Sequence, residues 1–181
     1  SSPPFIKACS FFYFDFDAKM TKNLPWIVPD FYKKSKGVNF MIDLKNKKII
    51  LSGSGGFFGT YFLKALVEAG AVVVAMDRPG GDGVSEDLKK QFSPEQVFFY
   101  KADLYDDEST RKIYNQIILE HPNINGLVNN AFDFSLKTGF NDESGRLERA
   151  TYDQLKSSFD SGIYWAIRTS QIFGGQMKKN G

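Results

Sequence analysis

Cysteine and histidine are almost missing from this sequence. Its 181 residues hold one of each, Cys9 and His121. One cysteine excludes an intrachain disulfide, so a reducing, cytoplasmic compartment is the simplest expectation. With a single histidine none of the usual His/Cys zinc spacings can be written, and no metal site is expected. An excess of one charge is missing too. The 23 basic and 21 acidic side chains leave a formal net charge of +2, with no long block of either sign. That balance gives no support to sequence-independent nucleic-acid binding. No run approaches the roughly 20 apolar residues that span a bilayer, so no membrane partner is expected. The apolar run at residues 9–16 is broken by Asp15, followed by Asp17, and lacks the small-residue cleavage site of a signal peptide. What is present is ordinary for a globular domain: 42% apolar and 24% charged residues argue against disorder and fibrous repeats.

Composition shifts near Met41. Residues 1–40 hold ten aromatics and four of the seven prolines, without helical or strand periodicity. A boundary is expected near residue 40. Two readings of this extension stay open: sequence upstream of a start at Met41, or an arm that packs its aromatics on a partner. Exposed, the 11–16 run would be an aggregation hazard.

From residue 41 to 181 short apolar runs alternate with helical patterns. Strands are predicted at 48–51, 71–76, 97–100 and 127–129. Helices are predicted at 56–69, 85–92, 106–120 and 151–179, with loops at 79–83 and 132–150. The first helix should bury Phe58, Phe62, Ala65, Leu66 and Ala69, and end at Gly70 in a left-handed cap. The third should turn Ile113, Ile117 and Ile118 inward. The last carries Leu155, Phe159, Ile163, Ala166, Ile167, Ser170, Phe173 and Met177 near one stripe. The run AVVVAM at 71–76 has no alternation, which suits a parallel strand covered on both faces. The β-α alternation predicts an α/β fold, a parallel sheet with helices on both sides.

The first strand runs into Ser52-Gly53-Ser54-Gly55-Gly56-Phe57-Phe58-Gly59. Glycines at 53, 56 and 59 sit where a strand turns into a helix. A tight turn needs positive φ, and a pyrophosphate needs close approach to bare amides at a positive helix end. The amides through Ser54, Phe57 and Phe58 belong to that cradle, and Gly59 would let the helix lie close to the sheet. Asp77 ends the second strand 18 residues past Gly59. Its carboxylate suits the hydroxyls of an adenosine ribose and repels a 2′-phosphate, which favours NAD. The neighbouring Arg78 suits that phosphate and keeps NADP open. The plainer reading of Asp77 is a solvated turn residue. Asp103 and Leu104, ending the third strand, suit the adenine amino group and ring. Asp103 also suits the cap of the helix near 106.

The fourth strand reads Gly126-Leu127-Val128-Asn129-Asn130-Ala131-Phe132. Together these pieces resemble the short-chain dehydrogenase/reductase family over about residues 42–181. The family's N-N-A-G element matches Asn129, Asn130 and Ala131, with Phe132 in place of its glycine. The resemblance implies a Rossmann-type doubly wound sheet of strand order 3-2-1-4, with Asn129, Asn130 and Ala131 on the nicotinamide side. It implies hydride transfer between NAD(P) and a hydroxyl/ketone small molecule. A serine and a Tyr-x-x-x-Lys pair carry the proton chemistry in the family; both are expected beyond Gly181, with the catalytic half missing here. Tyr32 with Lys36 and Tyr152 with Lys156 match the spacing but not the place. The family's helper asparagine aligns with Gly162 or Ser161. A glycine there hints at a sugar derivative as substrate. Phe57, where glycine is commoner, looks like the extended branch, so a nucleotide-sugar epimerase or dehydratase stays open, as does a non-catalytic dinucleotide sensor. The full-length protein is expected to be a homo-oligomer through a strip of Trp165, Ile172 and Tyr164 around Arg168. The chain alone is expected to be poorly soluble, because its fourth strand lacks the next neighbour.

Overall fold

A computed structural model describes residues 43–79 and 86–179. The extension at 1–40, its boundary, and most of the 79–83 loop lie outside the described residues. Four strands, β1 (Lys48–Ser52), β2 (Val72–Asp77), β3 (Val97–Lys101) and β4 (Gly126–Asn129), form one parallel sheet of order β3-β2-β1-β4. The intervening helices are α1 (Phe57–Glu68), the short α2 (Glu86–Lys89) and α3 (Asp107–Glu120). After β4 a loop with one 3-10 turn, Glu143–Gly145, leads to α4 (Tyr152–Phe159). A π-helical turn, Asp160–Tyr164, then joins α4 to α5 (Trp165–Lys179). This is the expected Rossmann-type α/β fold.

Side-chain alternation along the strands explains the unbroken apolar runs. Ile49, Leu51, Val73 and Ala75 point into one core with Leu63 of α1 and Leu88 of α2. Ile50, Val74 and Met76 point into the other, with Tyr114 and Ile117 of α3 and Phe173 of α5. Both faces of β1 and β2 are therefore dry. Gly70, at φ +90, closes α1 as expected. Its N–H donates to Val67 O, and that of Ala71 donates to Leu66 O, the paired bonds of a Schellman ending.

Two helix faces differ from expectation. In α1 the buried residues are Gly59 and Leu63, with Leu66 and Val67 packed beside them. Phe58 and Phe62 are 50% and 44% exposed, and Ala65 also faces out. The cause is Gly59. A Cβ there would lie 1.9 Å from Gly53 O, so the helix rolls its one bare residue against the turn. Leu63, one turn on, follows it inward.

The last helix is not uniform. Thr151 and Gln154 form a capping box at its start. The π turn then adds about one residue per turn and rotates the rows that follow. Ser157, Ser161, Arg168, Thr169 and Phe173 go inward, while Phe159, Ile163 and Ile167 are half or more exposed. The strip assigned to a second subunit is largely used within the chain. Trp165 meets the Tyr105 ring edge-on at 4.8 Å, Ile172 packs on the second core, and Arg168 pairs with Asp107 of α3. Among the described residues no helix is long and apolar enough to cross a membrane.

Candidate cofactor site

The chemistry-bearing segments meet at the carboxyl edge of the sheet, where β1 bends into α1 beside the end of β4. Gly53 turns the chain at φ +66. Any Cβ there would also meet Ala131 Cα at 2.8 Å and its N at 2.9 Å. Two constraints, left-handed backbone and contact with β4's extension, therefore demand glycine at once. Gly56 is different. It is extended at φ −69, and a Cβ would touch only Gly53 O at an ordinary 3.5 Å. Neither backbone nor packing requires glycine there; open space in front of α1 is what it leaves.

No side chain caps α1, and its first turn carries no acidic residue. Its leading amides, Phe57 and Phe58 among them, face outward with the positive end of the helix dipole. An anionic group fits this end. The Phe57 and Phe58 rings pack edge-on at 5.2 Å, and Phe57 meets Tyr61 at 5.4 Å, so the aromatics stand beside the opening.

Ser52 holds the bend in place. This buried residue ends β1, and its Oγ accepts from the N–H of Asn130 at 3.1 Å and of Ala131 at 3.2 Å. Asn130 Nδ2 returns a bond to Gly53 O at 2.9 Å. The glycine turn and the Asn130–Ala131 segment are thus latched by three bonds. Residue spacing does not single out Ser52; its one signal in the sequence is a hydroxyl immediately before the glycine turn.

Asp77 closes the opposite side. Its Oδ2 accepts from Gly55 N at 2.6 Å and its Oδ1 from Arg78 N at 2.8 Å. The carboxylate expected to meet a ribose therefore also holds the phosphate-side turn. Ser54 sits apart from any opening. It is fully buried, and both its N–H and its Oγ donate to Met76 O, at 3.2 and 3.3 Å. Its part is to tie the turn to β2. Asn129 is exposed, yet its amide is bonded to the last helix: Nδ2 donates to Ala166 O and Ser170 Oγ, and Oδ1 accepts from Thr169 Oγ1 at 2.6 Å. Its amide fastens α5 to β4 and is spent there, which leaves Asn130 and Ala131 nearest the bend. Asp103 makes a turn with Tyr105 N at 3.0 Å while its carbonyl accepts from Thr110 Oγ1. The cap of α3 is Asp106, which accepts from Ser109 N at 3.0 Å. Leu104 packs partly on the second core.

Beyond β4, Asp133 is buried and accepts from Tyr105 Oη at 2.8 Å, Ser135 N at 2.9 Å and Ser135 Oγ at 3.0 Å. Burial pushes its carboxyl up, but these bonds and the Arg78 charge outweigh that and hold it below the usual aspartate range. Burial, and then the bond to Asp133, push the Tyr105 phenol up. Tyr152 is exposed, and Lys156 Nζ is bonded to Asp160 at 2.8 Å. That bond and charge raise the Lys156 pKa, so it is a plain surface ammonium pair. Among the described residues no group of three or more His, Cys, Asp or Glu is placed to hold a metal ion.

The family model for short chain dehydrogenases matches residues 47–180. The chain belongs to the short chain dehydrogenase family. Among curated proteins this family member is 30% identical over 100 residues to the short chain dehydrogenases/reductase notP′ of Aspergillus versicolor, spanning 52% of this chain and 34% of that one. Among solved structures, Cj0485 dehydrogenase superposes with TM-score 0.62 at 22% identity, over 75% of this chain and 48% of the other. The L-sorbose reductase of Gluconobacter frateurii, solved with NADPH and L-sorbose, gives TM-score 0.62 at 18% identity, over 77% and 50%. A Serratia marcescens short-chain dehydrogenase/reductase mutant gives 0.62 at 23%, over 74% and 52%. The chain thus spans about a third of the matched curated relative and about half of each of these structures.

Proposed function

We propose that this chain is the dinucleotide-binding half of an oxidoreductase that interconverts a hydroxyl and a ketone on a small molecule. The observation that carries this reading is the uncapped start of α1 behind the Gly53 turn, with the Asp77 carboxylate bonded to the Gly55 amide beside it. Family membership supports it. In this reading Gly53, Gly56 and Gly59 with the Phe57 and Phe58 amides cradle the pyrophosphate. Asp77 takes the ribose, Asp103 and Leu104 meet adenine, and Asn130 and Ala131 line the nicotinamide end. When bound, a nicotinamide dinucleotide supplies the hydride donor or acceptor. NAD is favoured, because a 2′-phosphate would face the Asp77 carboxylate; NADP would draw on Arg78.

Tyr152 and Lys156 are not assigned the proton transfer, since Tyr152 is exposed and Lys156 is paired with Asp160. The substrate is a small molecule. The test is a fluorescence titration of the full-length protein with NADH and NADPH. Saturable binding, tighter for NADH, is expected. Absence of binding for both ends the proposal. An Asp77→Ala variant with unchanged NADH/NADPH preference removes the ribose role.

A further inference from the structure

Two loops leave the carboxyl edge of the sheet far apart. In the order β3-β2-β1-β4 the outer strands are separated by three spacings of about 4.8 Å, roughly 14 Å in all. The loop after β3 carries Asp103 and Leu104, and the segment after β4 carries Asn130 and Ala131. One side chain joins the two. Tyr105 Oη donates to Asp133 Oδ2 at 2.8 Å. The Arg78 charge, one residue past β2, reaches the same carboxylate.

Both ends of this joint are fixed. Lys137 Nζ stands 3.2 Å over the Tyr105 ring, and Trp165 of α5 meets that ring edge-on at 4.8 Å. A cation over one face and a second ring beside it hold the phenol's orientation, and with it the direction of the hydroxyl. Asp133 is buried. Its Oδ1 accepts from Ser135 N at 2.9 Å, its Oδ2 from Ser135 Oγ at 3.0 Å, and its carbonyl from Thr138 Oγ1 at 2.8 Å. These donors come from its own loop, whereas the phenol comes from 28 residues away. A buried carboxylate holds such a charge-assisted bond firmly.

At either end the joint continues into the proposed dinucleotide site. Tyr105 N donates to Asp103 Oδ1 at 3.0 Å, so the same residue sets the carboxylate assigned to adenine. Asp133 stands two residues past Ala131, whose N–H is held by Ser52 Oγ at 3.2 Å. A ligand gripped at two ends binds best when the grips keep one separation, because the second grip then acts at high effective concentration. Resting on the proposed dinucleotide function, we propose that Tyr105 is a positioning residue: through Asp133 its hydroxyl sets the distance between the adenine side and the nicotinamide side of the site. It acts through the two loops and not on the ligand.

The test is calorimetric titration of the full-length protein with NADH and, separately, with ADP, which occupies only the adenine side and the phosphate cradle. Tyr105→Phe keeps the ring and removes the hydroxyl. It should weaken NADH about five- to tenfold and leave ADP within about twofold. Asp133→Asn should weaken NADH about two- to fivefold, and the pair Tyr105→Phe/Asp133→Asn should lose no more than Tyr105→Phe alone, because both changes act on one bond. Equal losses for NADH and ADP are the mark of a general loosening and overturn the proposal. Unchanged NADH affinity in Tyr105→Phe overturns it too, as do losses that multiply in the pair. Absence of NADH binding to the unmodified protein is a different result: it overturns the dinucleotide reading, and this proposal with it.

Discussion

Removing one oxygen atom should loosen the whole cofactor bend. Ser52 Oγ is the shared acceptor for two consecutive backbone amides, Asn130 N and Ala131 N, at 3.1 and 3.2 Å. Ser52→Ala leaves both donors without a partner beneath a buried side chain. An unsatisfied buried amide costs about 1–3 kcal/mol. Asn130 and Ala131 are only half-buried, so water reaches one of the two, and the expected loss is about 1–3 kcal/mol in total. For a domain of this size that is a fall in Tm of roughly 3–9 °C. The effect should not stop at stability. Gly53 can approach Ala131 only while the latch holds the two segments together. NADH affinity should therefore fall too, by roughly five- to tenfold, or about 1–1.4 kcal/mol. Thermal melting followed by circular dichroism and a fluorescence titration with NADH, both on the full-length protein, read the two effects. A variant that melts within 1 °C of the parent and binds NADH equally well would refute the latch.

Other outcomes follow from the same geometry. Gly59→Ala places a methyl group 1.9 Å from Gly53 O, so α1 must shift. The expected cost is about 2 kcal/mol or more, with NADH binding lost over tenfold, read by melting and titration. Gly56→Ala should melt like the parent, because its Cβ meets nothing closer than 3.5 Å; only NADH affinity should drop. Stability should decline with acid in two stages, measured by denaturant unfolding from pH 8 to pH 3. Burial, helped by the Lys48 charge, lowers the His121 pKa, so its contribution is full above the unfolded value of about 6.5 and is lost as pH falls through the folded value. Asp133 is also held low, so its contribution is full above about 3.9 and disappears at still lower pH. His121→Gln should remove the upper stage alone.

Much of the fold was readable because each parallel strand must be apolar on both sides. That requirement makes 48–51 and 71–76 stand out as unbroken runs, and it leaves little freedom in where the helices go. The rotation of those helices was not readable. In α1 the deciding contact is backbone to backbone, Gly59 against Gly53, and periodicity scores such a residue as neutral. In the last helix the large residues Phe159, Ile163 and Ile167 dominate any apolar count, yet small and polar ones, Ser157, Ser161 and Thr169, take the inside. At the bend, residue types marked the place but not the partners. Asn129 and Ser54 carry groups suited to a ligand and use them on Thr169 and Met76. Ser52 reads as the link from strand 48–51 into the glycine turn, and only the approach of β4 from 76 residues away gives its hydroxyl a task.

The wide turn at Asp160–Tyr164 has a consequence for how this helix can vary. Each residue of an α-helix advances the angular position by about 100°. Deleting one residue between 160 and 164 would convert the wide turn to α-helix, and it would swing everything downstream by roughly that angle. Thr169 would then leave Asn129 and Arg168 would leave Asp107, both in one step. The surplus residue works as a phase setting shared by two separate attachments, so substitutions can accumulate around it while its count stays fixed.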